Sequence, residues 1–271
     1  MNLKGKIAVV TGAGSGIGRE ISLLLAARGC ALALVDINLA GADETAQLCR
    51  ASGHAALEIS THRADVADVK AVQDLAEQVM ARHKAVHVVV NNAGVEVMGL
   101  LENVPLEQVQ WIVGVNFWGV VHGCKVFLPH IRQSGGGQLV NISSMFGFLG
   151  VPGQAAYCAT KFAVRGFSES LRAELRGSGI GVTAIHPGVI RTNIMSGARG
   201  EISERARKTS DFIMRRLATA PTRVATKVVR AIEHDRPRVR AGWDAYVFDA
   251  MARLSPTASN WLLSLLRDRL L

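Results

Sequence analysis

The sequence predicts an α/β fold: a single doubly wound domain whose parallel sheet of about seven strands is covered by helices on both faces. Three observations lead there. Short apolar runs of strand length recur along the chain, segments with apolar residues at helical spacing separate them, and a glycine cluster stands where the first run gives way to the first helical segment.

Lys6–Val10 is the first strand, and TGAGSGIG (11–18) follows it. Glycines there let the backbone approach a phosphate closely, and a helix N-terminus offers free N–H groups and a positive dipole end. The spacing, Gly12, Gly14, Gly16 and Gly18, departs from the common G-x-G-x-x-G pattern, with Ile17 and Arg19 where its last glycine would fall. A tight turn alone would explain the glycines; their place between strand and helix favours a nucleotide site. Ile17, Ile21, Leu24 and Leu25 then form one helical stripe.

Ala31–Val35 is the second strand, and Asp36 ends it, eighteen residues after Gly18. A carboxylate there can accept hydrogen bonds from adenosine ribose hydroxyls and would repel a 2′-phosphate. Neither Ile37, Asn38 nor Ser15 is basic, which points to NAD over NADP. A turn or N-cap aspartate is the plainer alternative. Leu57–His62 is a weaker strand, followed by the helical stripe Val69, Val72, Leu75, Ala76 and Val79. Val86–Val90, Gln138–Ile142, Val182–Ile185 and, more weakly, Arg238–Ala241 complete the strands. Long helices are expected near Leu106–Ile131 and Ala155–Arg176.

The second of these carries YCATK. Tyr157 and Lys161 stand one helical turn apart. A free phenol has a pKa of about 10; a cation held one turn away would favour the phenolate and make it usable as a proton acceptor near neutrality. Alone, the pair reads more readily as two neighbours on a solvated helix face.

Composition bounds the rest. Of 271 residues 49% are hydrophobic, which allows a large core, and no linker or repeat divides the chain. The apolar run at the N-terminus is too short for a signal peptide, and no run of about twenty apolar residues suggests a spanning helix. Cys30, Cys49, Cys124 and Cys158 are scattered without a CxxC pair, so reduced thiols in a cytoplasmic protein are expected, with no metal site. The net charge is +9, and residues 199–240 hold twelve Lys/Arg against five Asp/Glu. No nucleic-acid motif accompanies that stretch, so a solvated basic face is expected and not a nucleic-acid partner.

In order, TGAGSGIG at 11–18, Asp65 in ADV, NNAG at 91–94, Asn116, NISS at 141–144, YCATK at 157–161 and HPGVIRT at 186–192 resemble the short-chain dehydrogenase/reductase family over roughly residues 5–192. The resemblance implies a Rossmann-type domain and an NAD-dependent oxidoreductase. It implies Tyr157 as catalytic acid/base and Ser144, thirteen residues earlier, as the group that orients the substrate oxygen, with Ser143 structural. Lys161 would bind the nicotinamide ribose and lower the tyrosine pKa, and Asn116 would bend its helix and hold a relay water. The implied cofactor set is Gly12, Ser15, Gly16, Ile17, Gly18, Asp36, Asp65, Val66, Asn92, Ala93, Gly94, Tyr157, Lys161, Pro187, Gly188, Ile190 and Thr192. Asp65 would meet the adenine; Asn92, Ala93 and Gly94 the adenosine ribose side; and Pro187, Gly188, Ile190 and Thr192 the carboxamide end.

Segment 193–220 would be a substrate lid, with Ile194, Met195, Phe212, Ile213 and Met214 its apolar surface. Met145, Phe146, Phe148 and Leu149 are either core or substrate wall. An apolar lid suits a hydrophobic secondary alcohol or ketone. His186 and Cys158 are expected to be packing residues. A non-catalytic nucleotide sensor on the same fold is the alternative, opposed by the complete Ser144–Tyr157–Lys161 set. The family pattern also implies a homotetramer or homodimer, packed through the helices bearing Asn116 and Tyr157. Residues 243–271 would be a helical extension. Its tail, NWLLSLLRDRLL, places Trp261, Leu262, Leu265, Leu266 and Leu270 on one face; packing within the oligomer is expected there, over peripheral membrane contact.

Overall fold

Seven strands form one parallel sheet in the order β3-β2-β1-β4-β5-β6-β7. They are β1 (Ile7–Thr11), β2 (Ala31–Asp36), β3 (Ile59–Arg63), β4 (Val88–Asn91), β5 (Gly137–Ile142), β6 (Ile180–Pro187) and β7 (Arg238–Ala241). The computed structural model describes residues 1–54, 57–191, 197–200 and 218–265. Every expected strand is present, displaced by at most two residues at an end. Side chains on the central strands alternate between two cores, as the period of two requires. Val10, Leu34, Val88 and Val90 pack on one face; Val9, Val35, Val89 and Leu139 pack on the other.

The helices lie on those faces: α1 (Gly16–Ala27), α2 (Leu39–Cys49), α3 (Val69–His83), α4 (Leu106–Val113), α5 (Gly119–Gln133), α6 (Ala155–Glu174), α7 (Pro221–Glu233), α8 (Trp243–Leu254) and α9 (Pro256–Ser264). The single helix expected over 106–131 is interrupted: a π-helical turn, Gly114–Trp118, joins α4 to α5. Such bulges insert one residue into the helical ladder and are frequent at functional sites. Here the bulge carries Asn116.

Taken together, 106–133 reaches the length and hydropathy of a membrane span by composition alone. Its place is in the body of the domain, where Phe127 and Ile131 of α5 are buried in the core beside β4 and β5. Gly123 lets α5 pass directly over buried Asn91; a Cβ at Gly123 would fall 2.0 Å from Asn91 Oδ1.

The strand order reverses between β1 and β4, so their C-terminal ends open a crevice. The C-terminal extension is helical through Ser264. On α9 it is Leu263 that is buried, while Trp261, Leu262 and Leu265 are exposed. Among the described residues these three side chains are therefore uncovered. Leu266 and Leu270 lie outside the described residues, as do most of 193–220 and, with them, Ile194, Met195, Phe212, Ile213 and Met214.

Candidate active site

The turn from β1 into α1 depends on glycine at two points. Gly12 has φ of +64°, a left-handed conformation that costs glycine nothing. Gly18 allows the first turn of α1 to close on the loop: a Cβ there would sit 2.1 Å from the Gly12 carbonyl oxygen. Ser15 caps α1 without a side-chain hydrogen bond, and the first turn carries no acidic residue. The leading N–H groups of α1 are thus left for an anion.

The loop is tied to its neighbours by polar contacts. Thr11 Oγ1 accepts from the backbone N–H groups of Asn92 (3.0 Å) and Ala93 (3.1 Å). Asn92 Nδ2 donates to the carbonyls of Thr11 (2.9 Å) and Gly12 (3.2 Å). Asp36 accepts from Gly14 N (2.8 Å) and Asn38 N (2.9 Å), which fixes its carboxylate at the rim. Asp65 accepts from Ala67 N at 2.9 Å.

Deeper in, the catalytic candidates converge. Lys161 is almost fully buried, its Nζ 5.5 Å from the centre of the Tyr157 ring and donating to the Ile142 carbonyl at 3.1 Å. Asn116 is wholly buried. Its Oδ1 accepts from Val95 N (2.8 Å) and its Nδ2 donates to Val95 O (2.9 Å), so the π-turn is pinned to the chain leaving β4. Ser144 caps a short 3₁₀ turn, accepting from Phe146 N at 3.2 Å. His186, fully buried and stacked on Phe148 at 4.2 Å, holds the Ser144 carbonyl through Nδ1 at 3.0 Å. Burial lowers its pKa to about 4, so it acts as a neutral packing group, as expected.

Electrostatics depart from the expectation for Tyr157. Burial first, then the Glu96 carboxylate, push the phenol above its ordinary range, and the Ser144 hydroxyl opposes this. Burial also lowers the pKa of Lys161, to about 8, with the Glu96 carboxylate opposing. Among the protein's own groups, then, the pair does not by itself generate a phenolate.

Gly12, Ser15, Gly16, Ile17, Asp36, Asp65, Val66, Asn92, Ala93, Gly94, Ser144, Tyr157, Lys161, Pro187, Gly188 and Ile190 all line one cavity of about 620 Å³. Gly18 and Asn116 stand behind its wall, shaping the loop and the π-turn. Thr192 lies outside the described residues. Met145 and Phe146 line the cavity, whereas Phe148 and Leu149 are core. Cys158 is buried and does not line the cavity.

Sequence reasoning missed three residues. Glu96 and Gln154 are buried in the cavity wall. Asp244 supports the segment after β6, accepting from Val189 N at 2.5 Å. Glu96 could have been noticed as a carboxylate amid apolar residues two positions after NNAG; Asp244 carries no signal, since its contact spans fifty-five residues.

A family model described as short chain dehydrogenase matches residues 6–202. SadH of Mycobacterium tuberculosis is 41% identical over 266 residues, covering 97% of this chain and 95% of that protein. A short-chain dehydrogenase/reductase from Burkholderia phymatum, solved in complex with NAD, superposes with a TM-score of 0.86 at 30% identity, covering 94% of each chain. An alcohol dehydrogenase from Thermococcus sibiricus, complexed with 5-hydroxy-NADP, gives a TM-score of 0.74 at 26% identity over 88% of this chain and 95% of that one.

Proposed function

The chain belongs to the short-chain dehydrogenase family, and on that premise we propose that it is an NAD-dependent oxidoreductase interconverting an apolar secondary alcohol and its ketone. One observation carries the reading: the glycine loop, Asp36 and the Ser144–Tyr157–Lys161 set share one cavity at the sheet's switch point. The glycine cradle and the uncapped α1 N-terminus fit a pyrophosphate, and Asp36 fits an unphosphorylated ribose and repels a 2′-phosphate. Gly188 closes against Asp244, a position where a Cβ would collide with the carboxylate, so the backbone after β6 can approach a flat ring.

The nicotinamide ring, when bound, accepts or gives the hydride. The chain's residues do the rest. Ser144 donates a hydrogen bond to the substrate oxygen and fixes it for transfer. In oxidation Tyr157 takes the hydroxyl proton; in reduction it returns it. Lys161, buried between the Ile142 carbonyl and the tyrosine ring, supplies the positive charge that favours the phenolate and donors for a ribose. Asn116 holds the π-turn and the Val95 backbone in place behind them.

We further propose a homodimer or homotetramer in a reducing compartment such as the cytoplasm. Trp118 and Phe162 remain half-exposed where the π-turn and α6 face outward, and all four cysteines are buried free thiols. The test is a panel of apolar secondary alcohols scored by NADH appearance. Turnover with NAD and not with NADP supports the reading; turnover with NADP alone refutes the cofactor assignment.

A further inference from the structure

The wall of the cavity beside Tyr157 contains two polar side chains that the proposed reaction does not use. Glu96 follows NNAG at the end of β4. Its backbone is held by Arg199: Arg199 N donates to Glu96 O at 3.0 Å, and Met98 N donates to Arg199 O at 2.9 Å. That short ladder leaves the Glu96 side chain in the cavity wall at 6% exposure, among Val95, Met98, Trp111 and Phe146. Apolar packing there would be served by almost any other residue, and a buried carboxylate is costly unless it is partnered.

Gln154 stands just before α6, also 6% exposed and lining the same cavity. Its side chain lies beside the Glu96 carboxyl, where it opposes the rise in that group's pKa, and its own acceptor is Oε1. That oxygen is buried without a hydrogen-bond partner. A buried acceptor left unpaired is destabilising, so its retention in a pocket wall is informative.

We propose that Glu96 and Gln154 form a polar subsite that binds a second hydrogen-bond donor of the substrate, a hydroxyl or N–H group away from the carbon that is oxidised. Above about pH 7, where Glu96 is ionised, both groups present acceptors, so the ligand must bring the proton. A carboxylate or phosphate at this end would meet Glu96 and be repelled. The substrate class is therefore an apolar secondary alcohol bearing a second neutral donor, and a plain alcohol of the same skeleton would leave both acceptors unsatisfied. Sites built to hydrogen-bond a substrate group discriminate strongly against analogues that lack it.

The inference rests on the oxidoreductase reading and is tested by matched pairs of substrates. Each pair is an apolar secondary alcohol and the same skeleton with one added hydroxyl at a varied distance. In the wild type at least one hydroxylated member should exceed its parent by about tenfold or more in kcat/KM, expressed mainly in KM. Gln154→Met, which removes the free acceptor at similar volume, and Glu96→Gln, which removes the charge, should each bring that ratio down several-fold. The ratio is taken within one preparation, so partial misfolding of a variant does not alter it. Equal or lower kcat/KM for every hydroxylated member in the wild type, or a ratio that survives both substitutions, overturns the subsite alone. Absence of turnover for both members of every pair overturns the oxidoreductase reading and the subsite with it.

Discussion

Glu96→Gln should stabilise the cofactor-free protein at alkaline pH and leave it unchanged at acid pH. Burial raises the Glu96 carboxyl from an ordinary 4.5 to about 7, against smaller opposing pulls from Gln154 and Lys161. Between those values the unfolded chain has released the proton while the native protein still holds it. Native stability attached to this group is therefore complete below pH 4.5 and lost as pH rises through 7. At about 1.4 kcal/mol per pKa unit, ionising Glu96 in place costs on the order of 3 kcal/mol. The amide in the variant never ionises, so that cost disappears. Part of the gain is returned, because Glu96 also supports the charge on Lys161. A net gain of about 1–2 kcal/mol is expected at pH 8, which for a chain of this size raises Tm by about 2–4 °C. Calorimetry of both proteins at pH 5 and pH 8 measures it. A Tm difference that is the same at both pH values, or a variant less stable at pH 8, refutes the reasoning.

Asp36→Ala should narrow the proposed preference for NAD by removing the carboxylate proposed to face the 2′-position, as seen in kcat/KM with the two cofactors; an unchanged ratio would mean Asp36 serves only the Gly14 and Asn38 turn. Gly18→Ala should abolish cofactor binding in a fluorescence titration, because its Cβ would fall 2.1 Å from the Gly12 carbonyl oxygen, and undiminished affinity would contradict the geometry of the cradle. Light scattering should give a dimer or tetramer, and deleting 260–271 should shift that assembly or lower Tm, since Trp261, Leu262 and Leu265 are exposed on the single subunit. A truncated chain that keeps both but no longer co-sediments with anionic liposomes, as the full chain does, would assign the tail to a membrane surface instead.

The central strands were legible because they are buried on both faces and so read as short continuous apolar runs, as Val88 to Val90 does; β3 and β7, at the sheet edges and mostly half-buried, gave weaker runs. The glycine loop was legible because φ of +64° at Gly12 and contact at Gly18 leave no other residue a place. The π-turn at Gly114–Trp118 was not, since its residues keep helical character and only the hydrogen-bond register changes. The direction of the Tyr157 shift in the cofactor-free protein was not legible from spacing: one turn sets the distance to Lys161, but burial and the Glu96 carboxylate raise the phenol. Gln154 was invisible because its meaning lies in which of its two polar ends goes unpaired.

On the proposed mechanism Tyr157 moves the proton in an NAD-dependent alcohol oxidation. Tyr157→Phe keeps the ring, and with it the edge contact to Phe146 at 6.2 Å, while removing the one oxygen that takes the proton. NADH formation from the best apolar secondary alcohol should fall to below a few per cent of wild type, with NAD affinity held within a few-fold. Activity retained well above that level by a variant that still binds NAD would contradict the claim.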